Sequence, residues 1–190
     1  RRFERLETPE WLGLNAVACM YEDRDGAIWF GTSGDGLVRY DATGFLVMTT
    51  RDGLLSDRIS ALYGDETGSL WIGTAWSGLN RLSGGRMAAV RPEDGLYEGR
   101  VQVILEDRSG AFWFTGNRGF QHLPKREIVD FLEGRTASLR PRAFGLADGL
   151  RSASFASGQQ PAGSIGPDGR LWLPSYRGVV VVDPERLPAP

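Results

Sequence analysis

The sequence predicts an all-β fold of the β-propeller class, and two observations carry that prediction. The first is a repeat: Trp29, Trp71 and Trp113 each end a Gly-x-x-Trp string and lie 42 residues apart, and Trp172 ends a fourth such string 59 residues later. The second is composition, because 26 of the 190 residues are glycine, about twice the usual share of roughly 7%. A recurring tryptophan in units of about 40 residues, separated by turn-forming glycines, is typical of propeller blades.

Each unit is expected to contain four short strands. In the first complete unit the candidates are Val17–Glu22, Ala27–Thr32, Leu37–Asp41 and Phe45–Thr49. Apolar, β-branched and aromatic residues fill these segments, and glycine, aspartate and threonine separate them. Polar residues alternate only weakly, which favours strands covered on both faces, as between neighbouring blades.

The third and the last unit depart from this four-strand pattern. The third carries extra residues, of which 125–134 are predicted to form a short helix ending at Gly134 before a fourth strand at Leu139–Phe144. In the last unit Trp172 and Val179–Val182 mark the second and third strands, and the prolines that follow oppose a fourth. The predicted division is an outer strand and loop of a preceding blade at 1–14, blades at 15–56, 57–98 and 99–150, and a last blade lacking its fourth strand at 151–190.

The chain begins at Arg1 rather than at methionine, and we expect it to be a piece of a larger propeller. Phe3–Leu6 is predicted to be the outer strand of a preceding blade, because Phe3 lies 42 residues before Phe45. That strand could complete the last blade and close a four-bladed ring. The alternatives are an open arc of blades or two copies joined into a larger ring. Open edge strands favour pairing, so we expect self-association as a homo-oligomer.

Composition excludes several classes of function. The net charge is −2, which disfavours nucleic-acid binding and a polybasic membrane surface. No apolar run approaches the roughly 18 residues of a membrane span. The single cysteine, Cys19, and the single histidine, His122, leave no disulfide, no metal site and no histidine-based catalysis, and no cofactor is expected.

Residues that recur with the repeat are interpreted as structural. The tryptophans are expected to fill the space between blades, and the aspartates to accept hydrogen bonds from backbone amides in turns. Cys19 aligns with Ala61 and Val103 and is interpreted as a small buried residue. The recurring residues are Trp29, Trp71, Trp113 and Trp172 with Asp23, Asp65 and Asp107.

The whole pattern resembles the two-component regulator propeller repeat. It is carried by Asp23, Trp29-Phe30-Gly31-Thr32 and Gly36-Leu37-Val38-Arg39, and again by Asp65, Trp71-Ile72-Gly73-Thr74 and Gly78-Leu79-Asn80-Arg81, with Asp52-Gly53-Leu54 and Asp94-Gly95-Leu96 following. The third unit departs from it, since Thr115-Gly116 replaces Gly-Thr and His122 stands where Arg39 and Arg81 do. The last unit looks like the terminal blade of such a sensor.

The resemblance implies the C-terminal blades of a propeller outside the cytoplasmic membrane, in the periplasmic part of an inner-membrane bacterial receptor. It further implies a histidine kinase or diguanylate cyclase output elsewhere in the parent, other propeller domains as partners, and an unidentified small-molecule or oligosaccharide ligand.

A ligand is expected where the loops between second and third strands meet the loops between blades, at one mouth of the central channel. Aromatic rings there suit stacking on a sugar, and arginines suit carboxylates. The candidate ligand-binding residues are Asp35, Arg58, Trp76, Tyr97, Arg100, Arg118, Tyr176 and Arg177.

Three functions fit this reading. A non-catalytic sensor module is the leading interpretation. A scaffold that binds another protein through the same loops is the first alternative, because aromatic residues and arginine also suit protein interfaces. A propeller lyase or hydrolase is the less favoured one, since it would need an acid and a base at the mouth, where Asp35 is the one loop acid beside the aromatic candidates.

Overall fold

A computed structural model describes residue 3 and residues 6–9, 16–156 and 161–187 of the chain. The described residues form four antiparallel sheets, here blades 1 to 4, and the predicted all-β propeller fold is confirmed. Blade 1 contains β1 (Val17–Glu22), β2 (Ile28–Thr32), β3 (Leu37–Asp41) and β4 (Gly44–Met48); blade 2 contains β5 (Ile59–Gly64), β6 (Leu70–Thr74), β7 (Leu79–Ser83) and β8 (Arg86–Val90); blade 3 contains β9 (Val103–Glu106), β10 (Ala111–Thr115), β11 (Phe120–Pro124) and β12 (Arg142–Phe144); blade 4 contains β13 (Ser164–Ile165), β14 (Leu171–Ser175) and β15 (Gly178–Val182).

One α-helix, α1 (Lys125–Leu132), interrupts blade 3 between β11 and β12. It packs against β8, β10 and β11, and its Ile128 side chain is fully buried between blades 2 and 3. Helix α1 is amphipathic in the usual way, with Val129, Phe131 and Leu132 half-buried against the same core. Among the described residues no helix has the length and apolar character needed to cross a membrane.

Each of the first three blades is followed by a 3₁₀ turn that explains the Asp-Gly-Leu string. The turns are Thr50–Asp52, Pro92–Asp94 and Leu146–Asp148, and a fourth lies at Pro184–Arg186. In the first, the Asp52 carboxylate accepts a hydrogen bond from the Thr49 amide at 2.8 Å, and Gly53 follows with φ of 100°. Glycine fits this left-handed backbone because it lacks a Cβ, and the turn delivers Leu54 into the space between blades 1 and 2.

The first strands of consecutive blades contact one another, so β1, β5 and β9 lie side by side at the centre of the propeller. The close approach requires glycine on the adjoining second strand, because a Cβ on Gly31 would lie 2.6 Å from the Ile59 Cγ2 of β5. Gly73 is equally confined, with the Val101 Cγ1 at 2.7 Å from the position of a Cβ. The glycine of the Gly-Thr string therefore marks where one blade's second strand meets the next blade's first.

The core consists of the layers between blades. Buried side chains of blade 1 pack on blade 2, those of blade 2 on blade 3, and those of blade 3 on blade 4. Because the hydrophobic contacts lie between sheets, each blade is stable only against its neighbour. The tryptophans at the three junctions are Trp29, Trp71 and Trp113.

The outer edge of blade 4 differs from those of the other blades. Within the described residues β15 has a neighbour on one side only, in a sheet ordered β13-β14-β15. The outer strand predicted at Phe3–Leu6 lies partly outside the described residues, and Phe3 and Leu6 themselves are exposed and in no strand. The described part of the chain thus presents no fourth strand on blade 4.

Candidate functional site

The repeated aspartate holds both a turn and a tryptophan. The Asp65 Oδ1 accepts hydrogen bonds from the amides of Thr67 at 2.9 Å and Ser69 at 3.0 Å, and its Oδ2 accepts one from the Trp71 indole Nε1 at 2.8 Å. Burial opposes ionisation of this carboxyl, but hydrogen bonds from Thr67, Trp71 and the turn amides outweigh it and keep the pKa of Asp65 below its ordinary value. These satisfied carboxylates are structural, and Asp23 and Asp107 make the same bonds to Trp29 and Trp113 at 2.8 and 2.7 Å.

A cation covers the face of the same tryptophan in blades 1 and 2. The Arg81 guanidinium lies 5.4 Å from the centre of the Trp71 ring, and Arg39 lies 5.7 Å from Trp29. In blade 3 the residue at this position is His122, and the centre of its ring lies 4.5 Å from the centre of the Trp113 ring. Burial lowers the pKa of His122 against the opposing charge of Asp107, so the ring is neutral at pH 7 and acts as an aromatic cover.

Blade 4 lacks this arrangement. Gly166 stands six residues before Trp172, where the other blades have aspartate, and Val181 is the cross-strand partner of Trp172. The indole is accordingly 45% exposed, unlike the buried core position expected for it.

The predicted loops do share one side of the propeller. We call them the mouth loops and define them as residues 33–36, 75–78, 117–119 and 176–177 between second and third strands, together with the blade links 54–58, 96–102 and 150–156. Backbone hydrogen bonds join the two kinds of loop, from the Gly36 amide to the Asp57 carbonyl at 2.9 Å and from the Gly78 amide to the Gly99 carbonyl at 2.8 Å. In blade 4 the Tyr176 amide donates to the Ser154 carbonyl at 3.3 Å.

Trp76 and Arg100 form the clearest pair in the mouth loops. The Arg100 guanidinium lies 3.8 Å from the centre of the Trp76 ring, which is 57% exposed. The buried Gln102 side chain orients the Arg100 guanidinium. When the Gln102 amide is placed so that both its oxygen and its nitrogen are satisfied, the oxygen accepts a hydrogen bond from the Arg100 Nε at 3.2 Å. The nitrogen then donates to the Phe155 carbonyl at 3.1 Å. The guanidinium is held on its stacked face and at Nε, and within the described residues no hydrogen bond engages its two terminal nitrogens, which suits them to a ligand.

Tyr97 and Arg118 form a second pair one blade further on. The Arg118 guanidinium lies 4.7 Å from the centre of the Tyr97 ring, and its Nη1 donates to the Tyr97 carbonyl at 3.5 Å. The Arg118 amide donates to the Glu98 Oε1 at 3.2 Å. Glu98 reaches this place because residue 116 is glycine, where a Cβ would lie 1.6 Å from the Glu98 Oε1.

The other four predicted residues lie on the mouth loops without joining these pairs. Arg58 is exposed and forms an isolated β-bridge with Ser33, and the half-buried Asp35 donates its amide to the Thr32 Oγ1 at 2.8 Å. Tyr176 and Arg177 are exposed in the turn between β14 and β15. Sequence reasoning missed Gln102 and Glu98. Gln102 could have been noticed, because it aligns with Ser60 and Ala18 and is the one long polar side chain at that repeat position.

Cavities also lie elsewhere in the described part of the chain. One of about 170 Å³ lies at the centre, lined by Cys19 and by residues 60–62, 102–105 and 161–163; burial raises the pKa of the Cys19 thiol to about 12, so the thiol is unreactive.

A second cavity, of about 550 Å³, lies between blades 3 and 4 on the side away from the mouth loops. Among its lining residues, the His122 Nε2 lies 3.9 Å from the Asp107 Oδ2, and the Arg108 Nη2 donates to the Pro167 carbonyl at 2.5 Å. Among the described residues no group of His, Cys, Asp and Glu has the arrangement of a metal site.

Comparison with known proteins agrees with the propeller fold and with its repeat. Residues 12–34 and 53–76 match the model of the family described as two component regulator propeller. The fold and the repeat thus define a β-propeller, and the matches of these two segments to the two component regulator propeller model confirm the resemblance read from the sequence. No curated protein matches the chain.

Solved structures show the same fold. The chain is similar to the extracellular domain of BT3049 from B. thetaiotaomicron, described as a hybrid two component system, at 20% identity and a TM-score of 0.74 over 90% of this chain and 22% of that one. It is also similar to the extracellular domain of BT4673 from the same organism, at 21% identity and a TM-score of 0.73 over 90% and 24%. A more distant likeness is virginiamycin B lyase from Staphylococcus aureus, at 13% identity and a TM-score of 0.55 over 92% and 56%. The chain spans about a quarter of the length of the first two domains.

Proposed function

We propose that this chain is a non-catalytic, ligand-sensing part of the extracytoplasmic propeller of a membrane-bound bacterial two-component receptor. The repeats at 12–34 and 53–76 and the likeness to extracellular domains of two-component systems support this role. The observation that carries ligand binding is the Trp76–Arg100 pair, an exposed aromatic ring and an oriented cation on the mouth loops.

The pair suits an acidic oligosaccharide. A sugar ring can stack on the exposed part of the Trp76 indole, and the terminal nitrogens of Arg100 can bind a carboxylate with two parallel hydrogen bonds. Arg118, stacked on Tyr97, offers a second cation on the next loop. Exposed Tyr176 and Arg177 on blade 4, with Asp35 and Arg58 near blade 1, extend the same surface around the mouth.

This role places the module on the periplasmic side of the membrane, with other propeller domains of the receptor as partners. Ligand binding would change how those domains pack against one another, and the kinase or cyclase output lies elsewhere in the receptor. Because the change is one of binding and packing, no acid or base at the mouth is required of the module.

A protein scaffold is the second candidate, because exposed aromatic residues beside arginine are also typical of protein-binding hot spots. Trp76 at 57% exposure is the feature that favours it. The two functions differ in their ligand, so a small sugar that binds the isolated chain distinguishes them.

The test is calorimetric titration of the chain with oligosaccharides that contain uronic acid, with neutral oligosaccharides of the same length in parallel. We expect the acidic series to bind, and Trp76→Ala and Arg100→Ala each to weaken binding by at least about tenfold, as expected for one lost stacking or charge-assisted contact. Arg24→Ala, an exposed arginine on the β1–β2 turn away from the mouth, is the matched control. Binding that both mouth variants leave unchanged would contradict the site.

A further inference from the structure

Glu98 departs from the repeat at a position where the other blade links have serine. Ser56 and Ser152 occupy this position, two residues after the leucine of the Asp-Gly-Leu string. Each serine hydroxyl accepts a hydrogen bond from the backbone amide two residues ahead, at 3.1 and 3.2 Å. The Glu98 Oε1 instead accepts from the Arg118 amide on the neighbouring mouth loop, at 3.2 Å. A blade link therefore folds without a glutamate at this position.

A second departure from the repeat makes room for the Glu98 side chain. Blades 1 and 2 have threonine at the end of the second strand, and the hydroxyls of Thr32 and Thr74 accept hydrogen bonds from mouth-loop amides at 2.8 and 3.0 Å. Blade 3 has Gly116 at this position, and a Cβ there would overlap the Glu98 carboxylate. Glu98 thus replaces the acceptor of the missing threonine, and both changes occur in the same unit.

Replacing a hydroxyl with a carboxylate adds a negative charge and further acceptor capacity to the mouth loops. One oxygen of Glu98 is sufficient for the loop amide, and among the described residues no hydrogen bond engages the other oxygen, Oε2. The side chain is half-buried, and it is positioned on the backbone of the same Arg118 whose guanidinium covers the Tyr97 ring. The second mouth pair therefore has a carboxylate beside its cation.

The two mouth pairs consequently differ in charge. Arg100, stacked on Trp76, is oriented by an uncharged amide, whereas Arg118 has the Glu98 carboxylate on its own backbone. A nearby negative charge offsets the attraction of an arginine for an anion, so the first pair favours a carboxylate more strongly than the second. Tyr97 and Arg100 are three residues apart on one link, which places their Cα atoms at most about 10 Å apart. One ligand can therefore contact both pairs.

We propose that Glu98 determines the charge pattern of the sugar ligand, an inference that rests on the sugar-binding role proposed above. The ligand has one carboxylate, which binds Arg100, and the neighbouring unit is an uncharged sugar. Hydroxyl groups of that sugar donate to the Glu98 Oε2 and accept from the Arg118 guanidinium, since a hydroxyl can do both. A second carboxylate in this place would face Glu98 and be repelled.

The experiment is calorimetric titration with two disaccharides, one of a uronic acid linked to a neutral hexose and one of two uronic acids. Wild type should bind the first at least as tightly as the second. Glu98→Gln keeps an oxygen for the Arg118 amide and removes the charge. It should shift the ratio of the two dissociation constants about threefold to fivefold in favour of the di-acid, the effect of one charge pair near a protein surface.

Glu127→Gln makes the same change of charge at an exposed position of α1 and is the control, which should leave the ratio unchanged. If both disaccharides bind but Glu98→Gln does not change the ratio, Glu98 serves only to close the loop, and this proposal is overturned while the sugar-binding role stands. A wild-type chain that binds the di-acid more tightly also overturns it. If neither disaccharide binds, the sugar-binding role is itself wrong and this proposal fails with it.

Discussion

Blades 2 and 4 share the string Gly-x-Leu-Trp but surround its tryptophan differently. Trp71 has the Asp65 carboxylate on its indole nitrogen, Arg81 over one face, and the Phe112 ring of blade 3 at 5.0 Å between centres. In blade 4 the aspartate and arginine are replaced by Gly166 and Val181, and no sheet among the described residues follows. The motif therefore comes from the blade itself, but the burial comes from its neighbour.

The largest expected effect is the difference in stability lost when Trp71 and Trp172 are each replaced by alanine. Trp71→Ala removes a fully buried ring between two sheets and should cost about 3–5 kcal/mol of the free energy of unfolding. Trp172→Ala removes a half-exposed ring and should cost roughly 1 kcal/mol in the monomer. Denaturant unfolding at a concentration where the chain is monomeric measures both. Equal losses would mean that the two environments do not differ as described.

A smaller effect tests the aspartate that blade 4 lacks. Asp65→Asn replaces one of the two accepting carboxylate oxygens with an amide NH₂ group, which then faces a hydrogen-bond donor. The variant should therefore lose about 2 kcal/mol of the free energy of unfolding at pH 7. The folded pKa of Asp65 lies below its ordinary value. Its stabilisation is therefore complete above the unfolded pKa, near 4, and is lost as the pH falls through the folded pKa.

The measurement is the difference in unfolding free energy between wild type and Asp65→Asn from pH 7 downwards. We expect the difference to shrink as the pH falls below about 4, where the carboxyl of the unfolded wild-type chain becomes protonated while the folded one still stays ionised. Asp168→Asn, an exposed turn residue of blade 4, is the control and should change little. A gap that stays constant through this range would argue against a depressed pKa at Asp65.

The comparison of blades 2 and 4 also shows which features can be predicted from the sequence and which cannot. The repeat spacing locates the strands and the turns, because glycine and aspartate are required wherever the backbone has a positive φ or an unpaired amide, as at Gly53 and Asp52. It marks Gln102 as an unusual polar side chain at its repeat position but cannot predict its role, which arises from contacts with Arg100 and with Phe155, 53 residues along the chain. It also predicts a buried Trp172 by analogy, since whether a following sheet is present is not written in the blade's own residues.

The smallest expected effect comes from restoring the aspartate partner that Trp172 lacks in blade 4. Gly166→Asp places a carboxylate at the repeat position of Asp23, Asp65 and Asp107, and a Cβ there would lie 3.3 Å from the Trp172 Nε1. The Asp168 Oδ1, 2.7 Å from that Cβ, belongs to an exposed side chain that can rotate away. We expect a gain of about 0.5–1 kcal/mol, the usual net value of one hydrogen bond, measured by denaturant unfolding of the monomer. Gly166→Ala is the matched control and should show no gain, because it adds the Cβ without the acceptor. If both variants lose stability equally, the glycine is needed for space, and the aspartate is absent from blade 4 for steric reasons rather than because its tryptophan is uncovered.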